Sequence, residues 1–210
     1  MRVVAISDTH TFERQISVPD GDVLIHAGDF TISGDVFEVS EFAEWLEKQP
    51  HKHKIIVAGN HDWLFERSPH LAHPIIKSIP RAYYVQDNLI EIESVTFYGA
   101  PWQPRFCDWA FNVDRGEAIK RHWDQIPPCD VLITHGPPWG VLDYVKLGEP
   151  HLGCEELLKA VGRTKPRFHV FGHIHGGYGE WQINGTRFIN ASICDEAYQP
   201  INAPIVFDVG

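Results

Sequence analysis

The sequence predicts a layered α/β domain, and three observations predict it. Short β-branched runs recur along the 210 residues, amphipathic stretches fall between them, and 43% of the residues are apolar. That is enough apolar material for one well-filled core, so a single domain over residues 1–210 is expected.

Val3 to Ile6, Val23 to Ile25, Ile55 to Val57, Val95 to Tyr98, Val131 to Ile133 and His169 to Phe171 are each bounded by Gly, Pro, Asp or Asn and predict buried strands. Val36 to Gln49 puts Val36, Val39, Phe42, Ala43 and Leu46 on one face, predicting an amphipathic helix of about three and a half turns. Gly116 to Asp124 and Cys154 to Val161 are weaker helical candidates. Strands alternating with helices imply a central sheet covered on both sides. The last 35 residues change character. Trp181 to Ile183, Thr186 to Ile189 and Ile205 to Val209 predict strands, with a hairpin at Asn184-Gly185.

Composition narrows the function classes. Net charge is −10 and the basic residues are scattered, so the electrostatic footprint of a protein gripping long nucleic acid is missing. A small phosphate ester fits better than a polymer. The four cysteines, at 107, 129, 154 and 194, form no C-x-x-C pair and read as reduced thiols. No stretch approaches the roughly 20 apolar residues that span a bilayer, and no secretory leader is evident. No membrane partner is expected, and the cytoplasm is the expected location.

The chemistry lies immediately past the buried strands, at Asp8-Thr9-His10, Asp29, Asn60-His61-Asp62, His135-Gly136 and His173-Ile174-His175. Any one fragment is readily a turn, a helix cap or a core histidine. Five in series, each at a strand end, are better explained together. In an open α/β structure the ligand crevice lies beyond the carboxyl ends of the strands, so these side chains can converge across the sequence. Imidazoles, carboxylates and one carboxamide make a mixed N/O donor set suited to Mn or Fe, with Mg, Zn and Co as alternatives.

These blocks, D-x-H, G-D, G-N-H-D, H and G-H-x-H, resemble the calcineurin-like metallophosphoesterases across almost the whole chain. The strings SDTH, HAGDFT, VAGNHD, YGAPW, ITHGPPWG and INAS are similar to the metallophosphoesterase domain-containing branch of that superfamily. The resemblance implies an α/β/β/α sandwich, with central mixed sheets flanked by helices and ligands on loops at the strands' C-terminal ends. It implies that Asp8, His10 and His175 bind one divalent metal and that Asn60, His135 and His173 bind another, with Asp29 bridging the two. His61 would be the general acid, and a metal-bridging hydroxide the nucleophile. An orienting role for His61 is the competing reading. Some members of the branch lack the histidine corresponding to His173 and are weak enzymes; its presence here implies an active one.

The phosphoprotein phosphatases of the superfamily carry G-D-x-x-D-R-G, whereas Gly28 to Gly34 contains no arginine. The closer branch implies hydrolysis of small phosphodiesters, cyclic nucleotides included. A monoesterase, a nuclease and a metal-binding scaffold are the alternatives. Trp102, Phe106, Trp109 and Phe111 surround Arg105, and Trp139 follows Pro137-Pro138; aromatics beside a phosphate centre can stack a nucleobase, although any one of them is more often core or lid packing in an α/β protein. Arg105 and Trp139 are the two substrate candidates.

Overall fold

The computed structural model describes residues 1–146 and 150–210. Strand β1 (Arg2–Ile6) leads through a 3-10 turn to β2 (Val23–His26), α1 (Val36–Glu47), β3 (His53–Ile56), α2 (Trp63–Arg67), α3 (Pro69–Lys77) and β4 (Ala82–Tyr84). Next come β5 (Asn88–Ile92), β6 (Val95–Ala100), β7 (Gln103–Pro104), β8 (Asn112–Val113), α4 (Glu117–Trp123) and β9 (Val131–Thr134). The chain continues through α5 (Glu155–Thr164), β10 (Phe168–Phe171), β11 (Gly179–Ile183), β12 (Thr186–Asn190) and β13 (Ile205–Asp208).

Two sheets form, not one. Their orders are β13-β1-β2-β3-β4 and β11-β12-β10-β9-β6-β5, with β7 and β8 as a separate two-stranded ribbon. In the first sheet β1 to β4 run parallel and β13 closes the edge antiparallel. In the second, β12, β10, β9 and β6 run parallel between antiparallel edges β11 and β5.

The pleat shows why these strands read as continuous apolar runs. Along β1, Val3 and Ala5 enter a core that also takes Val23, Ile25, Phe97, Val131, Ile133 and Val170 from both sheets. Val4 and Ile6 face the other way, into a layer with Phe42, Leu46 and Ile76 from α1 and α3. On the far side Leu132 and Phe171 pack with Ile119 and Trp123 of α4 and Leu157 and Val161 of α5. Each such side chain, buried on folding, contributes roughly 1.5–3 kcal/mol. The layers are α/β/β/α, as the resemblance implied. A strand buried on both faces carries no signal saying whether sheet or helix covers it, which is why residue patterning alone suggested a single sheet.

At the hairpin Asn184 and Gly185 take φ of +51° and +90°, and Ile183 pairs with Thr186. The predicted two-residue turn is therefore present. Strands and helices outside the prediction are α2, α3, β4, β5, β7 and β8. Helix α3 begins on Pro69 and contains Pro74, so proline's usual meaning as a helix breaker hid it. Strand β4 is three residues long and only half-buried, too short to show a period.

The two sheets meet at one end through a parallel bridge between Ser7, just past β1, and Ser192, just past β12. Ser7 N–H donates to Ala191 O at 2.9 Å and Ile193 N–H donates to Ser7 O at 2.8 Å. The bridge brings the carboxyl ends of the parallel strands of both sheets to the same edge. All five chemistry-bearing segments emerge there.

Candidate metal centre

Asp8, Asp29 and Asn60 come after β1, β2 and β3, whereas His135 and His173 come after β9 and β10. Each leaves its strand through a sharp turn. Asp8, His10, Asp29 and His173 hold φ of +52°, +44°, +57° and +67°. Non-glycine residues rarely adopt this left-handed region, and strain of this kind gathers at functional sites. The turns also need room: a Cβ added at Gly172 would collide with Asp8 Oδ2 and Ser7 Oγ. Only glycine lets the two sheets' loops approach so closely.

All seven predicted ligands converge. Asp8, His10 and His175 form one group and Asp29, His135 and His173 another, with donor atoms within 4.8 Å of one another in each. Asn60 Oδ1 joins the second group, 2.9 Å from His135 Nε2. Asp29 Oδ2 lies 3.3 Å from His135 Nε2 and 4.0 Å from His10 Nε2, so it stands between the groups. His10, Asp29 and His61 make a third set of the same tightness.

The histidine tautomers show what the cluster is for. His10 Nδ1 lies 3.2 Å from Thr31 O, His135 Nδ1 lies 3.0 Å from Ala27 O, and His175 Nδ1 lies 2.8 Å from Asp195 O. A carbonyl can only accept, so each Nδ1 carries a proton and each Nε2 turns inward. His10 Nε2 and His175 Nε2 then face each other at 3.3 Å. With both rings neutral these are two lone pairs with no hydrogen between them, an arrangement that calls for a cation. Backbone partners on the outer nitrogen are also how proteins orient metal-binding imidazoles. The residues fit two divalent cations.

Without cations, protons stand in for them. Burial alone would push His135 down, but Asp29, by charge and hydrogen bond, and then Asp8 outweigh it and raise the imidazole to about 9. His175 is raised to about 9 in the same way, against burial, mainly by Asp8. Among the described residues His173 has no such partner at bonding distance, and burial pushes it down to about 3. Both carboxylates are held below their usual range, because their histidine partners overcome the opposing effect of burial.

Two further buried histidines brace the ligand loops. His26 Nδ1 accepts from Gly28 N–H, so its Nε2–H donates to Thr9 Oγ1 at 3.0 Å, between Asp8 and His10. His169 Nε2 lies 2.8 Å from Thr134 Oγ1, whose own proton goes to Gly136 O at 2.7 Å. That fixes the turn on both sides of His135. Burial pushes both rings down to about 3, which keeps them neutral braces. Asp62 serves the same end: its carboxylate accepts from Asp29 N–H, Thr31 N–H and Gly59 N–H at 2.9, 3.1 and 2.7 Å. None of these partners belongs to His61. Ser192 Oγ, 2.9 Å from Asp8 Oδ2, ties the motif INAS to the first ligand.

His61 is held by the loop before α1. Its Nδ1–H donates to Ile32 O at 2.8 Å. Glu38 fixes that loop by accepting from the Ile32, Ser33 and Gly34 N–H groups, while Asp35 caps α1 by accepting from Glu38 N–H. His61 N–H donates to Asp29 Oδ1 at 2.8 Å, so this residue and the central carboxylate are set by one contact.

A cavity of about 370 Å³ opens over the cluster. Asp29, Asn60, His61, His173 and His175 form its floor, and Arg105, Phe106, Trp109, Arg115, Leu152, Ile174 and Tyr198 are among its walls. The aromatic stretch singled out in the sequence therefore divides. Phe106 and Trp109 face the cavity, whereas Phe111 is buried in the core and Trp102 packs on it, its indole N–H donating to Asp87 at 2.9 Å. Arg105 lines the cavity as expected. Trp139 does not: its N–H is bound to Cys154 O and its ring packs on His151, with centroids 4.8 Å apart, so the loop after His135 presents Pro137 instead. Tyr198, packed on His10 and His175 at 4.7 and 5.2 Å, was missed. It lies on an unpatterned loop 23 positions beyond the last ligand, and nothing in the sequence marks it.

Residues 1–177 match the family of calcineurin-like phosphoesterases. The chain belongs to that family. It is 43% identical over 230 residues to metallophosphoesterase domain-containing protein 1 of Homo sapiens, covering 99% of this chain and 71% of the relative. A UPF0046 protein of Caenorhabditis elegans is 41% identical over 228 residues, covering 100% of this chain and 81% of that one. Among solved structures, an archaeal phosphodiesterase superposes with a TM-score of 0.54 at 16% identity, covering 99% of this chain and 93% of the other. A second crystal structure gives 0.69 at 15% identity, covering 90% and 89%. These two likenesses concern the fold. This calcineurin-like phosphoesterase thus belongs with the metallophosphoesterase domain-containing branch, and family and His/Asp cluster together identify a metal-dependent phosphoesterase. No helix among the described residues is long and apolar enough to cross a membrane.

Proposed function

We propose that this phosphoesterase is a dinuclear phosphodiesterase acting on small phosphodiesters. The observation that carries the reading is the charge of the cavity wall. Arg115 is committed to Gly153 O, Leu152 O and Glu155, and Arg105 Nε to Asp114 at 2.5 Å, while Glu196 adds a negative charge. The remaining wall is largely aromatic and apolar. A dianionic monoester would need unpaired cations around its third oxygen, whereas a monoanionic diester needs apolar room for a second substituent. The size suits a small molecule and not a polymer.

In this reading Asp8, His10 and His175 hold one cation and Asn60, His135 and His173 the other, with Asp29 shared between them. Mn or Fe suits the donor set. When bound, the pair supplies Lewis-acid charge neutralisation and brings a water's pKa toward neutrality. His61, its Nδ1 committed to Ile32 O, has Nε2 left to hand a proton to the departing alkoxide. Arg105, paired with Asp114, bounds the space for the ester's second substituent. Free thiols at all four cysteines support a reducing, cytoplasmic setting.

The test compares bis(p-nitrophenyl) phosphate with p-nitrophenyl phosphate after Mn²⁺ loading, alongside metal analysis. About two cations per chain and at least a tenfold diester preference in kcat/KM, about 1.4 kcal/mol, are expected. Monoester preference would overturn the diester assignment, and absence of both metal and turnover the enzyme assignment.

Loading should also release protons. His135 and His175 are raised to about 9 in the metal-free protein, and both must lose a proton to bind a cation. Apparent affinity should therefore rise with pH and level off above about 9. Titration calorimetry in buffers of different ionisation enthalpy should count about two protons from these rings near neutral pH, falling toward none at about pH 10. Constant release across that range would contradict the assignment.

A further inference from the structure

We infer that Trp109 is the positioning residue for His61, fixing the ring so that Nε2 meets the leaving oxygen; this rests on the assignment of His61 as general acid. The hydrogen bond from Nδ1 to Ile32 O sets the direction of the imidazole at one atom. Two rings add a restraint on its plane. The Trp109 indole lies against the imidazole with centroids 4.2 Å apart and planes inclined by 33°, and His10 meets it edge-on at 4.8 Å and 79°. His61 is 7% exposed, so Trp109 covers what would otherwise be its open side.

The chain carrying Trp109 is built for register with His61. Ala110 N–H donates to Asn60 O at 3.2 Å, and Phe111 N–H donates to Glu66 Oε1 at 2.7 Å. The two residues that follow Trp109 are thus tied to both ends of the segment that bears His61. Ala110 and Phe111 are buried behind it as anchors, and Asn112 ties back to Phe106 N, Phe106 O and Cys107 O at 3.3, 3.1 and 3.2 Å. A residue serving only as a cavity wall would need no such fastening to the loop beneath it.

A ring released by about 1 Å loses on the order of a hundredfold where proton transfer limits the rate. Trp109→Ala, Trp109→Phe, His61→Ala and the Trp109→Ala/His61→Ala double variant are compared with the parent in the Mn²⁺-loaded protein, using diesters with a nitrophenyl and an alkyl leaving group. Trp109→Ala should keep its cations and its KM within about threefold, lose roughly a hundredfold in kcat on the alkyl ester, and lose far less on the nitrophenyl ester. Phe should restore most of the loss, and the double variant should be no slower than His61→Ala alone. Independently of turnover, the His61 ring protons in Zn²⁺-loaded protein should lose their upfield ring-current shift and broaden in Trp109→Ala, and keep both features in Trp109→Phe. Raised KM on both esters with kcat unchanged, or equal kcat losses on both, would make Trp109 a wall and overturn the inference. If His61→Ala cleaves the alkyl ester at the parental rate, the acid assignment fails and this inference with it. If His61→Ala behaves as an acid variant while Trp109→Ala matches the parent, only the positioning role fails.

Discussion

Asp29→Ala is expected to strip the protein of at least one cation and to lower metal affinity by well over a hundredfold. That is the upper end of what losing a mere orienting partner costs. Among the described residues, Asp29 is the one whose carboxylate stands within 4.0 Å of an inward-facing nitrogen from both groups, His10 and His135, and its other oxygen fixes the His61 backbone. Removing it takes one negative charge from a buried cluster of imidazoles. Burial then pushes His135 down without its chief counterweight, so the ring holds its proton less firmly. The charge that made two adjacent cations tolerable is also gone. Metal analysis after dialysis, with circular dichroism to verify the fold, checks the result. Two cations retained in the folded variant would mean that Asp29 bridges nothing.

His61→Ala should do the opposite: keep both cations and lose turnover. Removing a general acid costs roughly 10²–10⁴-fold. The loss should be largest with an alkyl leaving group, which needs the proton, and smallest with nitrophenolate, which departs as an anion. The same measurement tests the third set of donors, in which His61 groups with His10 and Asp29. If His61→Ala loses a cation, the residue is a ligand and the acid must be sought elsewhere on the cavity floor.

The convergence of the seven candidate ligands was legible in the sequence because strand ends are. A buried run followed by Asp, Asn or His is a local pattern, and parallel pairing carries local patterns to a common edge. The division into two groups sharing Asp29 came from the resemblance, and the donor-atom distances gather Asp8, His10 and His175 in one group and Asp29, His135 and His173 in another, which no sequence spacing contains. Brace residues were illegible for a related reason. His26 and His169 lie inside apolar runs, where a histidine reads as an interruption, and their partners Thr9 and Thr134 become partners only after folding. The walls were half legible. An aromatic cluster near Arg105 was visible, but which ring faces the cavity depends on the reversals at Cys107 and Phe111, whose φ values are +48° and +57°. Trp139 is not among the cavity's lining residues; its ring packs on His151 beside the bridge between Pro138 and Cys154.

The bridge between Ser7 and Ser192 also bears on the order of events during synthesis. Asp8, the first ligand to be made, is held by Ser192, 184 residues later, and the sheets close at this edge only when β12 has been laid down. Contacts so distant in sequence form late and slowly. A ribosome therefore displays most of the donors well before the chain can gather them. Through that interval the histidines and carboxylates are separate side chains, and the cluster exists only in the finished fold.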